Sequence, residues 1–186
     1  MIIFTSFSEN GIYMSTGHVE YASLNGTHIF KLIGEVRAQS CISLDKLLGK
    51  IEQQANVIGA IVDLTKTTFI DSTVLGILAK LGLKLKQAHH IQAVMLSTNP
   101  DITTLANSMG LGQVFVILDY CGDPNVCTLK LMEEHVTHQN MLTTVLDAHQ
   151  TLMKLNENNQ NMFEPLVKPL QKEQDTLEKV SDKQNA

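Results

Sequence analysis

The segment VIGAIVDL, from Val57 to Leu64, is apolar on both alternating faces until Asp63 is reached. A strand with one face in water alternates apolar and polar residues, whereas a strand covered by helices on both sides is apolar throughout. The segment therefore predicts the central strand of a sheet with helices packed on it, as in an α/β domain. With 186 residues, 44% of them hydrophobic, the chain is long enough to bury such a sheet in one domain.

The segments around this strand alternate between strand and helix patterns. Two short strands between Gly17 and Gly34 meet at Asn25-Gly26, which is the strongest short hairpin signal. The sequence then predicts a helix capped by Ser43 over Leu44 to Ala55, a turn at Lys66 to Thr68, and a helix beginning beside Asp71 and Ser72. After that helix it predicts a strand from Ile91 to Ser97, a helix started by Asn99-Pro100 and closed by Gly110, and a strand from Val114 to Leu118. We expect a mainly parallel, mixed sheet of about five strands that starts with an antiparallel hairpin.

Both ends of the chain differ in composition from this central part. Residues 1–16 predict a flexible extension or an alternative start at Met14, and residues 17–120 predict the α/β domain. Residues 121–170 predict a helical extension, and residues 171–186 are polar enough to predict a disordered tail.

The helical extension is imperfectly amphipathic from Met141 to Val167, because His149, Asn156 and Gln160 interrupt its apolar stripe. Pro165 and Pro169 predict that no continuous helix runs beyond Glu164. Such a helix is compatible with a monomer or with a homodimer.

Charge and composition exclude several classes of function. A net charge of -5 with only 14 Lys and Arg residues gives no basic surface for nucleic acid. No segment approaches the roughly 18 apolar residues that predict a membrane span. The three cysteines are odd in number and lack metal-ligand spacing, which predicts reduced thiols in a cytoplasmic protein. The histidines His135, His138 and His149 are interpreted as solvated rather than metal-binding, so we expect no metal and no cofactor.

The run IVDLTKTTFIDSTVLGIL, from Ile61 to Leu78, resembles the core motif of the STAS family. In that motif a strand ending in Asp-Leu is followed by a loop and by Asp-Ser-Ser/Thr-x-Leu-Gly at the start of a helix. The resemblance extends over roughly Val19 to Leu118 and implies the STAS fold. The pieces GEVR, SMGLGQVF and AHQTLMKLNENN are similar to a subgroup of proteobacterial antagonists typified by HsbA.

The resemblance implies an anti-sigma factor antagonist that is not an enzyme. Unphosphorylated, such a protein binds an anti-sigma factor or a related target, and a serine kinase and a PP2C-type phosphatase set its state. The family's phosphorylated serine maps onto Ser72, directly after Asp71. Thr73 stands where many members carry a second serine and is also able to accept phosphate in principle. The alternative role of Ser72 is that of an ordinary helix N-cap.

Helical spacing separates two faces of the helix that starts at Ser72. Ser72, Gly76, Ala79 and Leu83 project away from the apolar stripe and form a small, partly apolar surface. We interpret this surface, together with Asp71 and Thr73, as the partner-binding face. The alternative is that the C-terminal helix of the same chain covers it. Asp63 is interpreted as supporting the loop before the helix through backbone hydrogen bonds.

Two rival functions remain open from the sequence. One is a soluble STAS subunit of a membrane transporter complex, and the other is a STAS sensor of a small molecule or nucleotide. The second rival lacks a recognisable pocket motif in this chain.

Overall fold

The computed structural model describes residues 17–52, 54, 56–119, 128–131 and 136–184. The N-terminal extension and the thiols of Cys121 and Cys127 lie outside the described residues. Within these described residues, six strands form one mixed sheet: β1 His18–Leu24, β2 Thr27–Val36, β3 Gly59–Ile70, β4 Ala93–Leu96, β5 Phe115–Leu118 and β6 Leu129–Lys130. Five α-helices accompany them: α1 Ile42–Glu52, α2 Ser72–His89, α3 Pro100–Ser108, α4 His138–Met153 and α5 Glu157–Gln184.

The strand order is β5-β4-β3-β2-β1-β6, which puts β3 inside the sheet as its apolar sequence predicted. β2 to β5 pair in parallel, whereas β1 pairs antiparallel with β2 and with β6. The predicted α/β class and the N-terminal hairpin are therefore confirmed, and β6 is a strand that the sequence did not reveal. Asn25 and Gly26 both have positive φ, 49° and 81°, as the tight hairpin turn requires.

The predicted turn at Lys66 to Thr68 is wrong, because β3 continues through it to Ile70. β2 is ten residues long and pairs with β3 as far as Val36 beside Ile70. Two register shifts interrupt this pairing, and the hydroxyl of Thr67 donates to the carbonyl of Leu32 at 2.9 Å. The polar residues that suggest a turn are thus accommodated in an irregular strand.

Helix starts were predicted with mixed success. Asn99 caps α3 as expected, since its side-chain oxygen accepts a hydrogen bond from the backbone N–H of Asp101 at 3.0 Å and Pro100 follows as the first helical residue. α1 instead begins at Ile42, directly after a 3₁₀ turn over Ala38–Cys41, so Ser43 lies inside the helix and is not its cap.

From residue 136 onward, the described part of the C-terminal extension contains two helices. α4 packs on α2, and α5 packs on α4. α5 runs through Pro165 and Pro169 to Gln184, against the prediction that the helix ends near Glu164 and that the tail is disordered. Phe163 and Val167 are 6% and 9% exposed in the main core, and this burial stabilises the helix despite the hydrogen bonds that the prolines lack.

Candidate functional site

Asp71 fixes the start of α2. Its Oδ1 accepts a hydrogen bond from the backbone N–H of Val74 at 2.9 Å, which makes Asp71, and not Ser72, the N-cap. Its Oδ2 accepts a second hydrogen bond from the backbone N–H of Ala38 at 2.8 Å. The Asp71 carboxylate therefore ties the first turn of α2 to the segment that follows β2. This positions Ser72 and Thr73, the two residues after Asp71.

Ser72 is the first residue of α2 and is half-buried. Its Oγ lies 2.9 Å from Nε2 of His149, a residue of α4 that is 3% exposed. Nδ1 of His149 lies 2.7 Å from the carbonyl oxygen of Val145, which only accepts, so Nδ1 carries a hydrogen. In the neutral ring Nε2 is then the acceptor, and the Ser72 hydroxyl donates to it.

Ser72 and Thr73 face different surroundings although they are adjacent. Thr73 is 5% exposed, whereas Ser72 is partly open. The two hydroxyls are therefore not equivalent as candidates for modification.

The face formed by Ser72, Gly76, Ala79 and Leu83 is not open in this structure. Gly76 and Ala79 are buried, and Leu83 is half-buried against the core. A Cβ placed on Gly76 would lie 2.3 Å from the carbonyl oxygen of Ala148, so α2 and α4 touch through their backbones. The C-terminal helix of the same chain covers this face, which was the alternative interpretation. A partner that binds Gly76 or Ala79 has to displace α4.

Lys80 joins three helices beside this contact. Its ammonium group lies 3.0 Å from Oδ1 of Asp45 on α1 and also pairs with Asp147 on α4. Burial lowers the pKa of Lys80, but the hydrogen bonds to Asp147 and Asp45 outweigh it, so the pKa is raised above 10.5. Lys80 thus holds α4 against α2.

α5 supports α4 from behind. The ring of Phe163 meets the ring of His149 edge-on, with 4.8 Å between centroids. Asn159 is fully buried and its amide donates to the carbonyl oxygens of Met109 and Leu152, at 2.8 Å and 2.9 Å. The interpretation of His149 as solvated is wrong. In the sequence, His149 is noticeable only because it interrupts the apolar stripe of the helix. That interruption does not reveal that its ring contacts Ser72.

The other predicted residues lie apart from this contact. His138 is exposed and pairs with Glu173, and His135 is outside the described residues. Asp63 is 3% exposed, and its Oδ1 accepts from the backbone N–H of Thr65 at 2.9 Å within β3, where the sequence predicted the end of a strand.

Neither a metal cluster nor a spanning helix is found in the described part of the chain. No three His, Cys, Asp or Glu side chains converge there as metal ligands. None of its helices is both long and apolar enough to cross a membrane.

A family model for the STAS domain matches residues 18–123 of the chain. The chain belongs to the STAS domain family. The STAS domain thus includes β1 to β5 and the start of α2 with Ser72, whereas α4 and α5 lie beyond the matched residues. Helix α4, which contacts Ser72 through His149, and helix α5 behind it both lie outside the matched domain.

Two solved structures resemble this STAS domain. One is the anti-sigma factor antagonist SpoIIAA in its unphosphorylated form, with 17% identity over 54% of this chain and 87% of that chain, and a TM-score of 0.48. The other is the Bacillus cell fate determinant SpoIIAA in the phosphorylated form, with 17% identity over 54% and 90% of the two chains, and a TM-score of 0.46. No curated protein matches the chain in sequence.

Proposed function

We propose that this STAS protein is a partner switch without enzymatic activity, an antagonist of an anti-sigma factor or of a related signalling target in the cytoplasm. The unphosphorylated form binds the target, and a phosphoryl group on Ser72 releases or redirects the protein. The observation that carries the proposal is the position of Ser72, a half-buried residue directly after the Asp71 cap in a STAS domain.

Phosphorylation of Ser72 requires no catalytic group from this chain. The oxygen of Ser72 attacks the γ-phosphorus of ATP, the new Oγ–P bond replaces the bond to the β-phosphate oxygen, ADP leaves, and a base of the kinase takes the hydroxyl proton. A PP2C-type phosphatase returns the serine by hydrolysis, in which water supplies the incoming oxygen and inorganic phosphate leaves.

The start of α2 tolerates the added charge. Phosphoserine carries about -1.5 to -2 charges near pH 7, and the free N–H groups at a helix N-terminus favour an anion. Both oxygens of the Asp71 carboxylate already accept hydrogen bonds, so the cap is retained by contacts that the phosphoryl group does not use. The domain therefore stays folded in both states.

A bound partner does not tolerate the same charge. Burying an unpaired dianion in an interface costs several kcal/mol, and each 1.4 kcal/mol changes a dissociation constant about tenfold. Local charge at Ser72 is therefore sufficient to separate the partners while the STAS domain itself stays folded.

Ser72 is favoured over Thr73 as the phosphoacceptor. Thr73 is 5% exposed, which leaves a kinase little access to this residue, whereas Ser72 is half-buried. Asp71 and Ser72 form the partly open portion of the proposed partner-binding face, and Thr73, Gly76, Ala79 and Leu83 are its further residues. Of these, Gly76 becomes accessible to a partner only when α4 leaves α2.

Intact-mass analysis of the protein isolated from its native cells tests the proposal. We expect a fraction carrying one phosphoryl group, which phosphatase treatment removes and which peptide mapping assigns to Ser72. Ser72→Ala should lose that fraction, whereas the matched Thr73→Val should keep it. A persistent absence of phosphate under all growth conditions, or its retention in Ser72→Ala, contradicts the proposed switch.

Binding supplies the second arm of the test. Against the purified target, Ser72→Asp should bind more weakly than wild type, and Ser72→Ala should bind constitutively. Ser72→Ala is not a silent change, however, because it removes the donor to the buried Nε2 of His149. Equal affinities for wild type and both variants would contradict the proposal.

A further inference from the structure

α4 crosses α2 at one point and holds it on both sides of that point. The crossing lies at Gly76, where the backbone of Ala148 leaves no room for a Cβ. One turn before it, Nε2 of His149 accepts a hydrogen bond from the Ser72 hydroxyl, and one turn after it, Lys80 pairs with Asp147 of α4. The proposed phosphoacceptor is therefore one of the contacts that keep α4 in place.

A phosphoryl group on Ser72 removes the hydrogen that this contact requires. Oγ then carries phosphorus in place of its proton and has nothing to donate to Nε2 of His149. The ring is 3% exposed and its Nδ1 is already engaged with Val145, so a neutral Nε2 would lose its partner in a closed structure. Leaving a buried acceptor unpaired is unfavourable even when the rest of the packing is intact.

A phosphoryl group that takes the place of this proton also needs space that α4 occupies. The 2.9 Å between Oγ and Nε2 is filled by one hydrogen bond and does not hold a phosphorus with three further oxygens. α4 cannot move away from Ser72 and still remain packed on α2 one turn further along, because at Gly76 the two backbones are already in contact. A group that separates the helices at Ser72 separates them at Gly76 as well.

Building on the proposed phosphorylation of Ser72, we propose that α4 is an internal ligand of the Ser72 face, and that α4 docking and phosphorylation of Ser72 exclude each other. A kinase then acts on the form in which α4 has left α2, and the phosphoryl group keeps it in that form. The two states therefore expose different surfaces to a partner. The unphosphorylated protein exposes the start of α2 with α4 docked beside it. The phosphorylated protein exposes the small residues of α2 and the apolar stripe of α4.

Hydrogen exchange on the full chain with phosphoserine genetically encoded at position 72 tests this inference. Amides of residues 138–153 should exchange faster than in the unmodified protein, on the order of tenfold, which corresponds to the loss of a buried hydrogen bond. The matched control carries phosphoserine at position 23 instead. Ser23 is exposed on β1, at the end of the sheet where β2 begins, opposite to the end that leads to α2.

Each outcome decides the inference. Faster exchange in 138–153 that is confined to the position 72 protein supports it. Unchanged or slower exchange there overturns it, because α4 and the phosphoryl group would then coexist, and equal acceleration from position 23 overturns it as a general effect of added charge. Encoded phosphoserine makes the result independent of any kinase, so a failure here is distinct from a failure to find Ser72 phosphorylated in cells.

Discussion

Gly76→Ala should loosen α4 by adding a single methyl group. The new Cβ would lie 2.3 Å from the carbonyl oxygen of Ala148, and real Cβ atoms essentially never come closer than 3.0 Å to another heavy atom, so the helices have to separate by at least 0.7 Å. Overpacking of this kind costs about 1 to 3 kcal/mol. Replacing glycine by alanine in a helix interior at the same time stabilises it by roughly 1 kcal/mol.

Gly49→Ala is the matched control because nothing lies within 4 Å of its added Cβ on α1. The gain in helix propensity is common to both variants, so their difference in unfolding free energy isolates the overpacking cost of about 1 to 3 kcal/mol. In a chain of this size each kcal/mol moves the melting temperature by about 2 to 4 °C. Circular dichroism measures that difference, and hydrogen exchange should place the loosening in residues 138–153 for Gly76→Ala alone.

Equal melting temperatures for the two variants would refute the reasoning. They would mean that α4 does not approach Gly76 closely in solution. The conclusion that α4 covers the face formed by Ser72, Gly76, Ala79 and Leu83 would then be wrong. Faster exchange spread evenly over the sheet in Gly76→Ala would refute it as well, since a local clash between two helices predicts a local effect.

Three further changes probe the same architecture. Lys80→Met should destabilise the fold by about 1 to 3 kcal/mol in urea unfolding, since it leaves two carboxylates without their shared cation. The control Lys168→Met breaks an exposed i,i+4 pair and should cost less than about 0.5 kcal/mol. Burial lowers the pKa of His28 below 6.5, so protonation of this side chain destabilises the fold as the pH drops below that value. The urea midpoint should therefore decrease from about pH 7.5 to about pH 5.5. An equal decrease in His28→Gln would exclude His28 as its cause. Asn159→Leu should cost about 2 kcal/mol or more because two buried carbonyl oxygens lose their donor, and exposed Asn158→Leu should be nearly neutral by the same measurement.

The sheet was predictable from the sequence because its signals are local. The apolar run of β3, the Asn25-Gly26 turn and the Asn99-Pro100 cap each act within a few residues, and the structure contains all three. The continuation of β3 to Ile70 was missed because its partner residues lie on β2, more than thirty positions earlier. A polar segment looks like a turn until a second strand supplies hydrogen bonds for it.

The Ser72 environment was less predictable, since it joins residues 77 positions apart. An isolated histidine on a helix resembles any solvated histidine, and only the packing of α4 on α2 reveals that its ring is buried. The same holds for Pro165 and Pro169, whose local effect on helix α5 is outweighed by the burial of Phe163 and Val167. Helical spacing did identify the small face of α2, but not which segment packs on it.

In the neutral form of the His149 ring, the hydrogen bond from Nδ1 to the carbonyl oxygen of Val145 selects the tautomer in which Nε2 carries no proton. Nitrogen-15 chemical shifts of an imidazole distinguish a bare nitrogen from a protonated one, so a spectrum of labelled protein reports the state of this one ring. In the closed structure it should show one tautomer, and after α4 leaves α2 it should show the tautomer mixture of a solvated histidine. A single resonance thereby becomes a gauge of how often the helix pair opens, measurable before any binding partner has been found.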